Sequence, residues 1–337
     1  MKLKTGIPAA LAFLVLILDA KTAIYGATVG LQMCLQTVVP SLLPFFVLSM
    51  VLTSSIVGQN IRILRPVAKL FGIPKGAESL LVIGMLGGYP SGAQAVTQAY
   101  QSGGLRREDA HRMLAFCNLA GPSFLFGIVA GKFNSAAAAW LLWGIHILSA
   151  LLVSLILPGR SSGSASTPKG NPITLSVALR KSINVIAVVC GWIILFQVVI
   201  AVLDRWILWL LPPWMQVMIT GLLELSNGCC DLGIITGEGL RFVVCSGMLA
   251  FGGLCVQMQT ASVTDDLALK SYISGKILQG LFSITLSYVC QRFLFSYTDI
   301  VKIPLIFWLF LGIITAVLVY FLHGKQKNSS FSQLVGV

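Results

Sequence analysis

Ten apolar or interrupted segments lie along the chain, near 6–20, 26–58, 77–100, 108–131, 134–157, 174–204, 219–238, 240–263, 271–291 and 301–322. Several reach the roughly 20 residues a helix needs to cross a bilayer, so the pattern predicts an all-α, polytopic membrane protein. Two segments are interrupted alike. Gly84-Met-Leu-Gly-Gly-Tyr-Pro-Ser-Gly92 and Gly221-Leu-Leu-Glu-Leu-Ser-Asn-Gly228 put helix breakers inside apolar sequence, which lipid tolerates only where freed backbone groups face protein or a wet cavity. Each predicts a broken re-entrant hairpin.

An internal echo pairs the two halves. Met113-Leu-Ala-Phe116 recurs as Met248-Leu-Ala-Phe251, 135 positions later. Each copy opens a second interrupted segment, Phe116-Cys-Asn-Leu-Ala-Gly-Pro-Ser-Phe124 in one half and Phe251-Gly-Gly-Leu-Cys-Val-Gln-Met-Gln-Thr260 in the other. Ahead of the first hairpin, the stretch from Asn60 to Phe71 alternates cations with apolar residues, as a helix lying on a membrane surface does. Its counterpart from Trp206 to Trp214 is rich in Trp. The expected organisation is a transmembrane helix over 1–25, a first repeat over 26–157, a cytoplasmic linker over 158–173, a second repeat over 174–295, and a last transmembrane helix with its tail over 296–337. The start has the basic end and short apolar core of a signal peptide, but Asp19 and Lys21 suit cleavage poorly.

Composition agrees with the pattern: 56% hydrophobic residues, 10% charged residues and a mean hydropathy of +0.89 exclude a water-soluble surface over most of the chain. The net charge of +12 could signal nucleic acid, yet the 23 basic residues are spread over short connections, so no nucleic-acid partner is expected. They read better as topology. With the N-terminus cytoplasmic and each hairpin returning to its own side, 17 Lys and Arg fall inside, Arg112 and Lys276 among them, and 6 fall outside. The same parity puts the first hairpin's base inside and the second's outside. The repeats are therefore expected to have inverted topology, as in many secondary transporters. The eight cysteines show no C-x-x-C and are expected to be free, buried thiols.

Glu224 carries the sharpest chemical signal, because Asp231 is the only other charged residue between Trp214 and Gly237. A carboxylate at membrane depth costs roughly 2.5–3.5 kcal/mol, so it normally faces a cavity, a partner or a cation. In inverted-repeat carriers the cargo sits near the midplane, where broken segments meet. Candidates there are Gly88, Tyr89, Pro90, Ser91 and Gly92 from the first hairpin, with Glu224, Ser226 and Asn227 from the second. Asn118, Ser123, Gln257, Gln259 and Thr260 add uncharged hydrogen-bonding groups, and the Gly121-Pro122 step frees a carbonyl. Glu224 has three uses that the sequence leaves open: holding sodium, exchanging a proton, or binding cargo. A sodium or proton coupling role is favoured, and no metal centre or cofactor is expected. The competing structural readings are that the glycines serve close packing and that the glutamines bond neighbouring helices. Asp231 is secondary, the cluster from Arg106 to Arg112 reads as a solvated helix start, and His146 reads as a packing residue.

Three stretches carry a family resemblance: GYPSGA from Gly88, FCNLAGPSFLFG from Phe116, and ELSNG from Glu224 with the Gln-rich segment after it. From about Val39 to about Gly280 the chain resembles the sporulation integral membrane protein family of the YlbJ/SpoVV type, which carries the nucleoside-recognition gate domain and is similar in outline to concentrative nucleoside transporters. Cys229-Cys230 and Gly252-Gly253-Leu-Cys depart from that pattern. The resemblance implies a role in endospore formation, with dipicolinate as cargo across the outer forespore membrane. It implies a gate on Gly88, Tyr89, Pro90, Ser91 and Gly92, with Asn118, Gly121, Pro122, Glu224 and Gln257 completing the site.

The expected function is thus secondary transport of a small polar or anionic metabolite by alternating access, in a multi-pass cell-membrane protein. The alternatives are a non-transporting membrane subunit of a sporulation complex and a nucleoside carrier. Expected partners are the small-molecule cargo, membrane lipids, and other sporulation membrane proteins or further copies of the chain. No enzymatic activity is expected: there is no Walker A motif, and nothing supports a serine protease built on Ser91 and His146. Dipicolinate is a dianion, and neither break shows a cation at membrane depth, so helix N-termini, sodium or a chelated metal would have to compensate its charge.

Overall fold

The computed structural model describes residues 16–59, 61–157, 172–264 and 269–295, together with positions 10, 13, 14, 159, 165 and 267. About half of the segment expected at 6–20, most of the linker and everything from 296 onward lie outside the described residues. The described residues form helices and turns, with no sheet. Six helical runs are long and apolar enough to cross a membrane: Ala20–Ile56, Arg107–Lys132, Ala136–Ile156, Leu175–Trp206, Glu238–Thr264 and Lys270–Leu294.

Helix α1 (Ala20–Met33) passes through a π turn at Cys34–Val38 into α2 (Val39–Ile56). Pro40 and Pro44 cannot donate to the helical ladder, and the wider turn falls just ahead of them. After a short surface helix, α3 (Arg65–Leu70), the first hairpin is built from α4 (Glu78–Gly87) and α5 (Ser91–Gln101). A discontinuous helix follows, with α6 (Arg107–Cys117), a break, and α7 (Pro122–Phe124) running on through irregular helical turns to Lys132. The first half closes with α8 (Ala136–Ile156).

The second half repeats this order. It comprises α9 (Leu175–Trp206), the hairpin of α10 (Pro213–Leu223) and α11 (Leu225–Cys230), the discontinuous pair α12 (Glu238–Phe251) and α13 (Gly253–Thr264), and α14 (Lys270–Leu294). The two Met-Leu-Ala-Phe stretches end α6 and α12, each just ahead of a break.

Glycines set the close approaches, as small residues do where no hydrophobic effect drives helices together. Gly26 and Gly30 seat α1 on α9, where an added Cβ would stand 2.9 Å from backbone atoms of Gln197 and Ile194. Gly84 and Gly92 bring both arms of the first hairpin onto the Cys117 backbone, and Gly221 and Gly228 meet each other beneath Met248. Gly275 lets α14 rest on Ala115 of α6. Leucine at position 30 is expected to push α1 off α9 and cost about 1–3 kcal/mol, the usual range for overpacking. Thermal unfolding of the detergent-solubilised protein would check this.

Polar contacts sort to two ends of the bundle. At one end Arg65 pairs with Glu78 at 3.7 Å, the Ala165 amide donates to the Lys75 carbonyl at 2.6 Å, and the Ile173 amide donates to Ser54 Oγ at 3.2 Å. At the other end Arg205 pairs with Asp19 at 2.8 Å, Lys132 Nζ donates to the Cys230 carbonyl at 2.8 Å, and the Asn134 amide donates to Glu238 Oε1 at 3.0 Å. The base of the first hairpin lies at the former end, and that of the second at the latter. All eight cysteines are free.

Candidate functional site

The four interruptions meet. In the first hairpin the chain turns at Gly88, whose φ of +73° favours glycine, and the Gly121 backbone sits against it at a distance that leaves no room for a side chain. In the second half Gly252 (φ +83°) and Gly253 (φ +72°) break α12 from α13, and Gly253 lies against the Gly221 carbonyl and the Leu225 amide. Gly252 faces the Tyr89 hydroxyl, so a break of one half touches a break of the other.

Hydrogen bonds tie these breaks across the halves. Tyr89 Oη donates to the Leu249 carbonyl at 3.2 Å. Asn118 is fully buried; its Oδ1 accepts from the Ala93 amide at 3.3 Å, and its Nδ2 donates to Thr260 Oγ1 at 2.9 Å and Tyr272 Oη at 3.3 Å. His146 Nε2 accepts from the Ala120 amide at 2.9 Å, steadying the first half's second break. That imidazole is satisfied, as a packing histidine should be.

Glu224 forms the second hairpin's break itself, with φ −137° and ψ 113° between α10 and α11. Its Oε1 accepts from the Ser226 amide at 3.0 Å and its Oε2 from the Asn227 amide at 2.6 Å, so the carboxylate caps α11. A charged cap suits the positive end of a helix. Each oxygen retains a further lone pair for another partner. Glu224 also lines a cavity of about 40 Å³ with Gly88, Tyr89, Gly121, Ser123, Ser226 and Gln259, closed on its apolar side by Leu42, Phe46, Val189 and Ile193 among others. That volume suits a water or two, or a small ion, and not an organic metabolite.

The structure therefore gathers Gly88, Tyr89, Gly121, Ser123, Glu224, Ser226 and Gln259 at one cavity, and the other residues singled out from sequence take other places. Pro90 follows Tyr89 through a cis peptide bond, and Pro122 opens α7. Gly92 is a packing contact. Ser91 faces a second, wider cleft of about 260 Å³ with Ser49, Thr53, Gln94, Gln98 and Lys181; Phe46 borders both spaces. Asn227 and Gly228 lie inside α11, and within the segment Gly221–Gly228 the interruption falls at Glu224. Asn227 Nδ2 reaches Asp231 Oδ2 at 3.4 Å. On α13 the cavity is lined by Gln259; Gln257 is buried off its wall, with Nε2 unpartnered.

Two cations correct the charge map read from sequence. Arg112 is 5% exposed and donates to the carbonyls of Phe71, Gly72 and Ser154, and Asp109 beside it is 4% exposed, so the start of α6 is only partly solvated. Lys276, counted as a cytoplasmic connection residue, is fully buried in α14. Its Nζ donates to Gln279 Oε1 at 2.8 Å and to Tyr89 Oη at 3.3 Å, and lies 5.1 Å from the Tyr89 ring centre and 5.7 Å from that of Tyr272. A cation thus does stand beside the first break. The available signal was its place inside the apolar segment 271–291, where it is the one charged residue.

Six apolar spans and two broken hairpins whose interruptions converge on a buried carboxylate define a polytopic α-helical membrane protein with an internal polar site. The chain is 28% identical to the sporulation integral membrane protein YlbJ of Bacillus subtilis (strain 168), over 75% of this chain and 74% of that protein. This similarity supports assignment to the YlbJ family and a membrane role in sporulation. No family model and no solved structure matches the chain.

Proposed function

We propose that the chain is a secondary carrier of a small polar or anionic metabolite. The observation that carries this reading is the meeting of four helix interruptions, two from each half, three of which line one small cavity beside the buried Glu224. Broken helices are tolerated at membrane depth where they line such a space, and carriers place their cargo and coupling ions there. The same order of elements in both halves, with hairpin bases at opposite ends, supports inverted repeats that rock about the site. Alternating access then breaks and remakes the bonds that cross the halves, Tyr89 to Leu249 and Asn118 to Thr260.

Glu224, with the hydroxyls of Ser123 and Ser226 and the amide of Gln259, forms a place for sodium or for an exchanged proton. Cargo enters by the wider cleft lined by Ser91 and Lys181. The family resemblance suggests dipicolinate as that cargo and the outer forespore membrane as the location, with a nucleoside as the other class. One observation favours a non-transporting subunit instead: both Glu224 oxygens are used in capping α11, as a purely structural carboxylate would be.

Uptake of radiolabelled dipicolinate and uridine into proteoliposomes holding this chain alone, under sodium or proton gradients, separates these readings. Gradient-driven uptake of one compound, falling at least about tenfold in Glu224→Gln, is expected. Folded protein that takes up neither would turn the argument to the subunit role.

A further inference from the structure

We propose that Lys276 is the charge-selecting residue of the cargo site, its ammonium taking the carboxylate of an organic anion. This rests on the carrier reading and adds the residue that decides between charged and neutral cargo. Lys276 is fully buried, and no carboxylate stands within ion-pair distance of it among the described residues. Its hydrogen-bond partners are two uncharged oxygens, Gln279 Oε1 and Tyr89 Oη. An ammonium has three donors and no acceptor. A buried cation held only by neutral groups and two aromatic faces still lacks a counter-charge.

Lys276 lines neither space itself, and Tyr89 stands between its ammonium and the small cavity. Tyr89 contributes to the cavity wall beside Glu224, and its hydroxyl accepts from Lys276. Tyr89 also sits on the Gly88 turn, the one part of the first hairpin that has left helical geometry. Lys276 itself belongs to α14, which rests on α6 of the first half through Gly275 and Ala115 and on α12 of the second through Ser283 and Ser246. The cation is therefore held where α14 packs on both halves, and its aromatic partner sits on the turn of the first hairpin. Withdrawal of Tyr89 leaves two donors free for anionic oxygens, with Gln279 still holding the amine.

The test is equilibrium binding of tritiated dipicolinate to the full chain in detergent. Unlabelled dipicolinate competes in one arm, and pyridine-2,6-dicarboxamide, the same ring without charge, in the other. Wild type should prefer the dicarboxylate by about ten- to a hundredfold, the range of a hydrogen bond to a charged group. Lys276→Arg should keep the preference. Lys276→Gln, eluting and unfolding like wild type, should abolish it. If Lys276→Gln does not fold, Gln279→Met removes the amine's nearest acceptor without its charge, and dipicolinate should then bind several-fold more tightly. No saturable binding, no charge preference in wild type, preference retained in Lys276→Gln, or unchanged affinity in Gln279→Met would each overturn the proposal. Uptake of uridine without charge preference would leave the carrier reading standing while this one fell. Lys276-dependent anion binding without any uptake would do the reverse.

Discussion

Gly92→Ala is expected to abolish recovery of folded protein, whereas Gly144→Ala is expected to leave it intact. At position 92 the added methyl would overlap the Cys117 carbonyl oxygen and stand 3.0 Å from the Cys117 carbonyl carbon and from Gly84 Cα. All three are backbone atoms, so no side-chain rotation relieves the overlap. Overpacking a core costs about 1–3 kcal/mol when side chains can yield, and more where the backbone must move. Here both arms of the first hairpin and the end of α6 would have to separate together. Gly144 lies in α8 with nothing within 4 Å of an added Cβ, and alanine there gains up to about 1 kcal/mol of helix propensity. Size-exclusion profiles and thermal unfolding in one detergent compare the two directly. A Gly92→Ala protein that melted within about 2 °C of wild type would show that the hairpin does not pack this way.

Asn118→Leu is expected to cost about 2–4 kcal/mol, the larger part from a single atom. Leucine keeps asparagine's branching at Cγ but leaves the buried Ala93 amide without its acceptor, a loss of about 1–3 kcal/mol. The bonds to Thr260 and Tyr272 add about 0.6 kcal/mol each, as is typical within membranes. Thr260→Val removes only one of those and should cost correspondingly little. Unfolding curves for both variants check the ranking. A loss below about 1 kcal/mol in Asn118→Leu, or equal losses in the two, would contradict it.

The architecture was legible wherever its cause is local. Helix breakers inside apolar sequence marked both hairpins, and the repeated Met-Leu-Ala-Phe stretch marked the ends of α6 and α12. What depended on packing between distant segments was not legible. Lys276 reads in sequence as a cation near the start of a helix. It is buried because Gly275 draws α14 onto Ala115, a contact spanning 160 positions. The choice of Gln259 over Gln257 at the cavity follows from the direction in which α13 leaves Gly252 and Gly253. Gly228 had the composition of a break yet is a spacer against Gly221, and the chain interrupts at Glu224, whose own side chain makes the new helix start.

Phe46 is the side chain that borders both the small cavity beside Glu224 and the wider cleft. Side chains change rotamer far faster than helices rock against one another, so a path between the two spaces that runs past Phe46 would open at the pace of one ring's rotation and would need no larger movement.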